Sequence, residues 1–281
     1  MNPPVFFCFG RLRAFFATAA CGTALAASAT GETFTQGQRP DSLFSSDYLH
    51  LLVTDTTGIL SSPAQWDGSD WETAGLLGAA ITGTALFDRK VRDWSQDHRT
   101  PGRDRFFRTE QRLGAEWAFV VLGGFETWSV ANSDKRAEAV VMDGLVSSFI
   151  AGVIISPALK YSVGRVRPNS TSRTFEFKPF SGNQSFPSGH TTQAFAVASV
   201  IAEHYDQWWA QTLAYGAAGL VGVARIEQNT HFASDVIAGA ILSTVVGRAV
   251  VRRNNGAKTA LFDVRPYVEA QGYGLRLSKD F

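Results

Sequence analysis

The stretch Gln184-Ser185-Phe186-Pro187-Ser188-Gly189-His190 stands directly before a long apolar run. Proline presets the backbone for a helix start, serine is a favoured N-cap, and glycine leaves room for a ligand at the main chain. The first N–H groups of a helix and its dipole favour an anion there. A histidine beside that anion can donate a proton to a leaving group. The stretch therefore predicts an oxyanion site, although ordinary turn-to-helix junctions have the same composition.

Long apolar segments with short polar connections surround this stretch. Helices are expected at about 74–87, 113–130, 135–161, 187–204, 207–224 and 231–253, after a short amphipathic helix within 43–60. No fixed-period repeat is visible. We expect an all-α fold, a helical bundle of about six or seven helices with a small C-terminal β-hairpin.

The hairpin is expected because the pattern after Gly256 changes to period two. Gln271-Gly272 can form its turn, and Pro266 confines its strand to an edge or a bulge. The alternating positions are Phe262, Val264, Val268, Ala270, Tyr273, Leu275 and Leu277.

The N-terminus has the layout of a secretory signal peptide, with two arginines, a short apolar stretch and small residues up to Ala29. A retained membrane anchor is the alternative. Both cysteines, Cys8 and Cys21, lie in this segment, so the mature chain would have neither a disulfide nor a cysteine nucleophile. The expected organisation is a signal peptide at 1–29, a helical domain at 30–255 and the hairpin at 256–281, in a periplasmic or secreted protein.

Charge and hydropathy narrow the classes of partner. The net charge of +1 gives no argument for nucleic acid. Acidic residues interrupt most apolar segments, and only Gln207–Ala224 approaches the length of a membrane span. A soluble bundle with buried apolar helices is therefore expected, with peripheral membrane contact left open.

Residues 88–112 carry eight basic side chains around Pro101-Gly102. Five acidic residues partly offset them, which favours a solvated basic loop over a specific anionic-partner surface. The cations are Arg89, Lys90, Arg92, Arg99, Arg103, Arg105, Arg108 and Arg112.

Lys160 and Arg167 are seven residues apart, nearly two helical turns, so in a continuing helix both would project from one face. An ammonium with a guanidinium fork suits a phosphate group. Arg165 lies about 200 degrees from Arg167 on such a helix and is left out of the site. Cations that complement a helix C-terminus are the alternative for this segment alone.

Asn229 or Thr230 can cap a helix that starts near His231. His231 and Asp235 then lie at i and i+4 on one face. A carboxylate that holds one imidazole nitrogen leaves the other poised as a nucleophile. Ordinary dipole complementation by an acid in a first helical turn is equally compatible with this pair.

Together, Lys160-x6-Arg167-Pro168, Pro187-Ser188-Gly189-His190 and Arg225-x5-His231-x3-Asp235 resemble the three-part signature of the type 2 phosphatidic acid phosphatase superfamily. This superfamily includes bacterial acid phosphatases, lipid phosphate phosphatases and vanadium haloperoxidases. The resemblance covers roughly residues 110–253. Ala224 stands where the family usually has serine before the arginine, which predicts altered efficiency and not lost activity.

The resemblance implies a metal-independent phosphatase that acts on a phosphomonoester or diphosphate, including one carried by a membrane lipid. It implies that His231 attacks phosphorus to form a phosphohistidine, that Asp235 orients it, and that His190 protonates the leaving oxygen. The phosphate oxygens would be held by Lys160, Arg167, Ser188, Gly189 and Arg225.

No metal or cofactor is expected, and vanadate should inhibit. Two other functions stay open. A haloperoxidase would bind vanadate as its cofactor in the same pocket, although haloperoxidases of this superfamily are usually much larger. A non-catalytic phosphate- or lipid-binding protein would keep the pocket without the reaction. The expected partner is a phosphorylated small molecule or lipid.

Overall fold

The computed structural model describes residues 39–40, 42–113 and 116–256, together with the backbone of two C-terminal strands. The predicted signal peptide at 1–29 lies outside the described residues. The helices in the described ranges are α1 (Ser46–Ser61), α2 (Gly68–Ala85), α3 (Asp88–Asp97), α4 (Pro101–Leu113), α5 (Glu116–Asn132), α6 (Lys135–Val163), α7 (Gly189–His204), α8 (Trp208–Glu227) and α9 (Ala233–Asn254).

The expected architecture of about six or seven helices with a C-terminal hairpin is wrong in its helix number. The described residues form these nine helices, with Lys135–Val163 counted as one, and a short 3₁₀ helix at Ser62–Gln65. Two of the additional helices, α3 and α4, fold from the segment that was predicted to be a basic loop. Its charges alternate in sign at helical spacing, as Arg89 and Asp93 show with a 3.7 Å pair at i and i+4.

Helix α6 carries the first motif and is not uniform. It is α-helical over Lys135–Ser148, π-helical over Phe149–Ile155 and α-helical again over Ser156–Val163. Asp134 begins it as a true N-cap, because its carboxylate accepts from the backbone N–H groups of Arg136 and Ala137.

Helices α7 and α9 form the centre of the bundle. A Cβ atom on Gly239 would lie 2.9 Å from the Ser188 carbonyl oxygen, and one on Gly247 would lie 2.0 Å from Ser199 Oγ. The absence of side chains at these two positions of α9 therefore lets the backbones approach closely. The Ser188 N–H donates to the Asp235 carbonyl at 3.0 Å, so both helices begin at the same end of the bundle.

Two apolar clusters fill the space around this central pair. One joins α1, α6 and α9 through residues that include Leu51, Ile150 and Val250, which are almost completely buried. The other joins α5, α6, α7 and α9 and includes Leu122 and Val200.

The expectation that the apolar helices are buried is wrong for α5 and α8. Both are apolar around most of their circumference, and only Ala118, Leu122 and Ser129 of α5 are buried. Large side chains such as Trp128 and Leu213 are 57% and 68% exposed.

The prediction that only Gln207–Ala224 approaches a membrane span is also wrong. Lys135–Val163 and Ala233–Asn254 are long and apolar enough, because their acidic residues cluster near one end, yet 67% and 61% of their apolar windows are buried inside the protein.

At the C-terminus, Asp263–Glu269 and Gly272–Ser278 pair antiparallel, with Asp263 opposite Ser278 and Glu269 opposite Gly272. Gly272 therefore lies in the second strand and not in the predicted turn.

Candidate active site

The first motif does not lie on a continuing helix. Helix α6 ends at Val163, and Gly164 takes the left-handed conformation with φ of 59°. A Cβ there would lie 1.8 Å from the Lys178 carbonyl oxygen. Both the backbone conformation and the lack of space for a side chain therefore favour glycine at this position. The chain then runs extended, with the Val166 N–H donating to the Glu176 carbonyl at 3.0 Å. The helical-face argument for Lys160 and Arg167 is therefore wrong, and the helical angle that separated Arg165 from Arg167 does not apply.

Lys160 reaches the second motif from the last turns of α6. Its Nζ donates to the Gln184 carbonyl at 2.9 Å and to the Pro187 carbonyl at 2.5 Å. A Cβ on Gly189 would lie 3.6 Å from Lys160 Cε. The ammonium therefore lies beside the turn that begins α7.

Ser188 is the N-cap residue of α7, but its side chain makes no capping hydrogen bond. Its Oγ instead accepts from Thr191 Oγ1 at 3.0 Å. The predicted side-chain cap is therefore wrong. The first N–H groups of a helix have no intrahelical partner, so an anion at this turn would satisfy them.

The third motif turns from α8 into α9. Arg225 is buried in the last turn of α8, and its carbonyl accepts from the N–H groups of Thr230 and His231. Helix α9 begins at Ala233, later than predicted, so His231 precedes the helix. Its ring nevertheless lies near Asp235, with 3.8 Å between Nδ1 and Oδ2.

The closest partner of the His231 ring is not Asp235. Nδ1 lies 2.7 Å from the Ser185 carbonyl oxygen, which can only accept a hydrogen bond. Nδ1 therefore carries the hydrogen, and Nε2 of the neutral ring keeps its lone pair. His231 is 4% exposed, so this orientation is held in a buried setting.

Asp235 is fully buried and contacts both sides of the site. Its Oδ2 accepts from Ser185 Oγ at 2.6 Å and from the Phe232 N–H at 2.9 Å. Its Oδ1 accepts from Arg165 Nη1 at 2.7 Å. Asp235 therefore contacts Ser185, whose carbonyl accepts from the His231 ring, and Phe232, the residue after His231.

Burial and positive charge act together on the two histidines. Burial, followed by the charges of Arg225, Arg167 and Lys160, lowers the pKa of His190 to about 3. Burial also lowers the pKa of His231, although Asp235 opposes this effect. Both rings are therefore neutral at neutral pH while the site holds no anion.

The charged groups that lower the pKa of His190 also show which predicted site residues lie close together in the fold. The charged groups that act on the His190 ring of the second motif come from the first and third motifs: Lys160, Arg167, Arg225 and His231. Ser188 and Gly189 immediately precede this ring in the chain. All eight predicted site residues thus lie near one another where α7 and α9 begin, and their roles stay predictions.

Arg165, Asp88 and Ser185 contact the site and were not predicted to belong to it. Arg165 and Asp88 are 2% and 0% exposed and pair at 2.7 Å, so Asp88 is not the solvated counter-ion of a loop. The signal for Arg165 was Gly164, because a glycine after an apolar helix indicates a helix end. Asp88 could have been noticed because the charges of its segment are spaced as in a helix, with Asp88 at the start of that helix.

Helices α3 and α4 also pack against the third motif. Arg103 of α4 forms an ion pair with Glu227, and Gln96 Nε2 of α3 donates to the Glu227 carbonyl at 3.2 Å. Glu227 is 6% exposed and ends α8 just before the His231 loop. In the described part of the chain, no group of three or more His, Asp, Glu or Cys residues comes together as a metal site.

Comparison with known proteins connects this geometry to a family. Residues 144–258 match the PAP2 superfamily, which confirms the resemblance predicted from the three motifs. The chain is 36% identical over 117 residues to the lipid A 1-phosphatase of Porphyromonas gingivalis, covering 41% of this chain and 24% of that protein. It is 32% identical over 123 residues to the lipid A 1-phosphatase of Rhizobium etli, covering 41% of this chain and 52% of that protein.

These alignments span about half or less of the length of both relatives. Among solved structures, the transmembrane PAP2 type phosphatidylglycerolphosphate phosphatase from Bacillus subtilis is similar with a TM-score of 0.50 and 19% identity. That similarity covers 68% of this chain and 96% of that one, and it shows the fold alone.

Proposed function

We propose, from the match to the PAP2 superfamily and the geometry of His231, that this chain is a metal-independent phosphatase acting through a phosphohistidine. Its substrate is a phosphomonoester or diphosphate, and the named relatives favour one carried by a lipid. The observation that carries the proposal is the contact from Nδ1 to the Ser185 carbonyl, which leaves Nε2 as a nucleophile.

In the first step the His231 Nε2 lone pair forms a bond to phosphorus while the bond from phosphorus to the leaving oxygen breaks. His190 gives a proton to that oxygen, which takes the bonding electron pair. The phosphate oxygens lie among Lys160, Arg167 and Arg225 and the N–H groups at Ser188 and Gly189, which match the charge of the transition state.

In the second step neutral His190 takes a proton from water as the water oxygen attacks phosphorus. The bond between phosphorus and Nε2 breaks, and its electron pair returns to Nε2. Inorganic phosphate then leaves with the proton that His190 took from water, so both histidines return to their neutral forms. A phosphate anion among the cations raises the pKa of His190, so the ring can carry the proton that it must donate.

The test is hydrolysis of p-nitrophenyl phosphate and of a lipid phosphate in excess chelator, with vanadate as inhibitor. A phosphohistidine hydrolyses in acid, so the reaction is quenched in alkali to trap the phosphoprotein. His231→Ala should abolish the trapped phosphoprotein. His190→Ala should slow substrates with poor leaving groups about 100- to 10,000-fold, and good leaving groups less.

His50→Ala is the matched control, because His50 is an exposed histidine on α1. Activity that disappears in chelator and returns with a divalent ion would contradict the metal-free mechanism. Bromide peroxidation by vanadate-loaded protein, without phosphatase activity, would support the haloperoxidase alternative. Phosphate binding without either reaction would support the non-catalytic one.

We also propose that the protein associates with a membrane and acts outside the cytoplasm. The exposed apolar faces of α5 and α8 support membrane association. The proposed location rests on the signal-peptide layout of residues 1–29. N-terminal sequencing and the mass of the mature protein test whether this segment is removed.

A further inference from the structure

A chain of three buried charged groups lies behind the candidate nucleophile. Arg165 Nη2 lies 2.7 Å from Asp88 Oδ2, and Arg165 Nη1 lies 2.7 Å from Asp235 Oδ1. The three side chains are 2% exposed or less. They come from the start of α3, the extended segment after α6 and the first turn of α9.

Asp88 also holds the first turn of α9 directly. Its Oδ1 accepts from the Ser234 N–H at 2.9 Å, and its Oδ2 accepts from Ser234 Oγ at 2.6 Å. Ser234 immediately precedes Asp235. One carboxylate from α3 thus fixes both the backbone of this turn and the guanidinium that pairs with Asp235.

Arg165 has further partners besides the two carboxylates. Its Nη1 donates to Ser234 Oγ at 2.7 Å and its Nη2 to the Thr174 carbonyl at 2.6 Å. Its guanidinium lies 4.3 Å from the centroid of the Phe232 ring, the residue directly after His231. A displacement of Arg165 would therefore reach His231 through Phe232 as well as through Asp235.

The charges of the chain have a consequence for the histidine. Two carboxylates and one guanidinium leave a net charge of −1 next to the His231 ring, which becomes more positive when it bonds to phosphorus. Without Asp88, Arg165 would neutralise Asp235, and the ring would lose that compensation. Buried charges interact strongly enough for this to affect the reaction.

We propose that Asp88 is a positioning residue for the candidate active site, acting through Arg165 and Ser234 on Asp235 and His231. Its catalytic consequence rests on the proposed phosphatase function. Asp88 lies 56 residues before the segment that matches the PAP2 superfamily, since that segment begins at residue 144.

The test compares Asp88→Asn, which keeps the shape and removes the charge, with Asp93→Asn on the same helix. The Asp93 side chain is 48% exposed and pairs with Arg92 at the surface. Asp88→Asn should lower kcat and the rate of phosphoenzyme formation about 10- to 100-fold and leave KM nearly unchanged, because it misplaces the nucleophile. Asp93→Asn should behave like the wild type.

A second readout does not depend on activity. Titration of the His231 ring by NMR, in protein labelled with ¹⁵N-histidine and assigned with His231→Ala, should show a lower pKa in Asp88→Asn. The charged and titratable groups around this ring are Asp235, Arg165, Lys160, Arg167, Arg225 and His190, and the substitution changes the identity of none of them. Asp88→Glu keeps the charge and should retain most of the wild-type titration.

An unchanged His231 titration and an unchanged kcat in Asp88→Asn would overturn the proposal, even with a lower melting temperature. If Asp88→Asn does not fold, a wild-type kcat in Arg165→Lys would overturn it, because lysine lacks the planar fork that joins Asp88 to Asp235. A shifted titration in a protein whose wild type hydrolyses no phosphate ester would leave the positioning role intact and contradict the proposed function.

Discussion

His190 enters the reaction as a neutral ring, because burial and three neighbouring cations hold its pKa at about 3. The proposed first step nevertheless needs a proton at this position. A phosphate ester with one remaining proton can bring it, since the second pKa of such a phosphate is about 6. The substrate and not the free enzyme would then set the upper pH limit.

We therefore expect kcat/KM to fall above about pH 6, because kcat/KM reports ionisations of free enzyme and free substrate. In a series of substrates, the falling limb should move with the second pKa of each phosphate. His190→Ala should remove most of this limb for a good leaving group. A limb that stays at one pH for all substrates would contradict this origin.

The residues of the three motifs were predictable because their chemistry is local and their types are specific. Arg165 was not, since its exclusion assumed that the helix carrying Lys160 continues through Gly164. The left-handed turn at Gly164 instead directs Arg165 into the protein, toward Asp235. The partner of His231 Nδ1 could not be predicted either. It is a backbone carbonyl, which every residue has, so residue type gives no indication of it.

The site requires close packing of helices α7 and α9, because Ser188 and Asp235 are in contact where these two helices begin. Gly247→Ala should destabilise the protein by about 1–3 kcal/mol, since its Cβ would lie 2.0 Å from Ser199 Oγ and 3.1 Å from the Ala196 carbonyl. Denaturant unfolding followed by circular dichroism measures the change.

The matched control is Gly216→Ala in the interior of α8, where a Cβ would meet nothing within 4 Å. It should stabilise the protein by about 0.5–1 kcal/mol, because alanine is the better helix former. Equal effects of the two substitutions would show that helix propensity and not the contact of α7 with α9 decides the outcome.

The long apolar helices were predicted to within a few residues because composition and caps are strong signals. Helices α3 and α4 were missed because charge density suggested solvent exposure. Their contacts with the rest of the protein depend on tertiary partners such as Arg165 for Asp88 and Glu227 for Arg103, which lie far away in sequence.

At the scale of the whole molecule, an apolar groove of about 1230 Å³ runs between α5, α7 and α8. Phe107 and Trp117 line it toward the active-site end, and Trp128, Tyr205 and Trp209 line it toward the other. Aromatic side chains at both ends of an apolar surface are typical of proteins in contact with a bilayer.

We expect brominated phospholipids to quench much of the tryptophan fluorescence of the vesicle-bound protein. Trp117→Phe with Trp128→Phe should reduce the quenched share, because these rings are 41% and 57% exposed. Trp66→Phe is the control, since this half-buried ring packs on Trp71 at 4.9 Å. Quenching by aqueous acrylamide but not by brominated lipid would show that α5 faces water.

The contact between Asp88 and Arg165 has a consequence for how this chain can exchange parts with its relatives. Recombination that transferred residues 144–258 alone would carry Arg165 and Asp235 into a new protein and leave Asp88 behind. The recipient would inherit every signature residue together with a buried guanidinium lacking one of its carboxylates. The smallest segment that carries all of these contacts therefore begins no later than Asp88, at the start of α3.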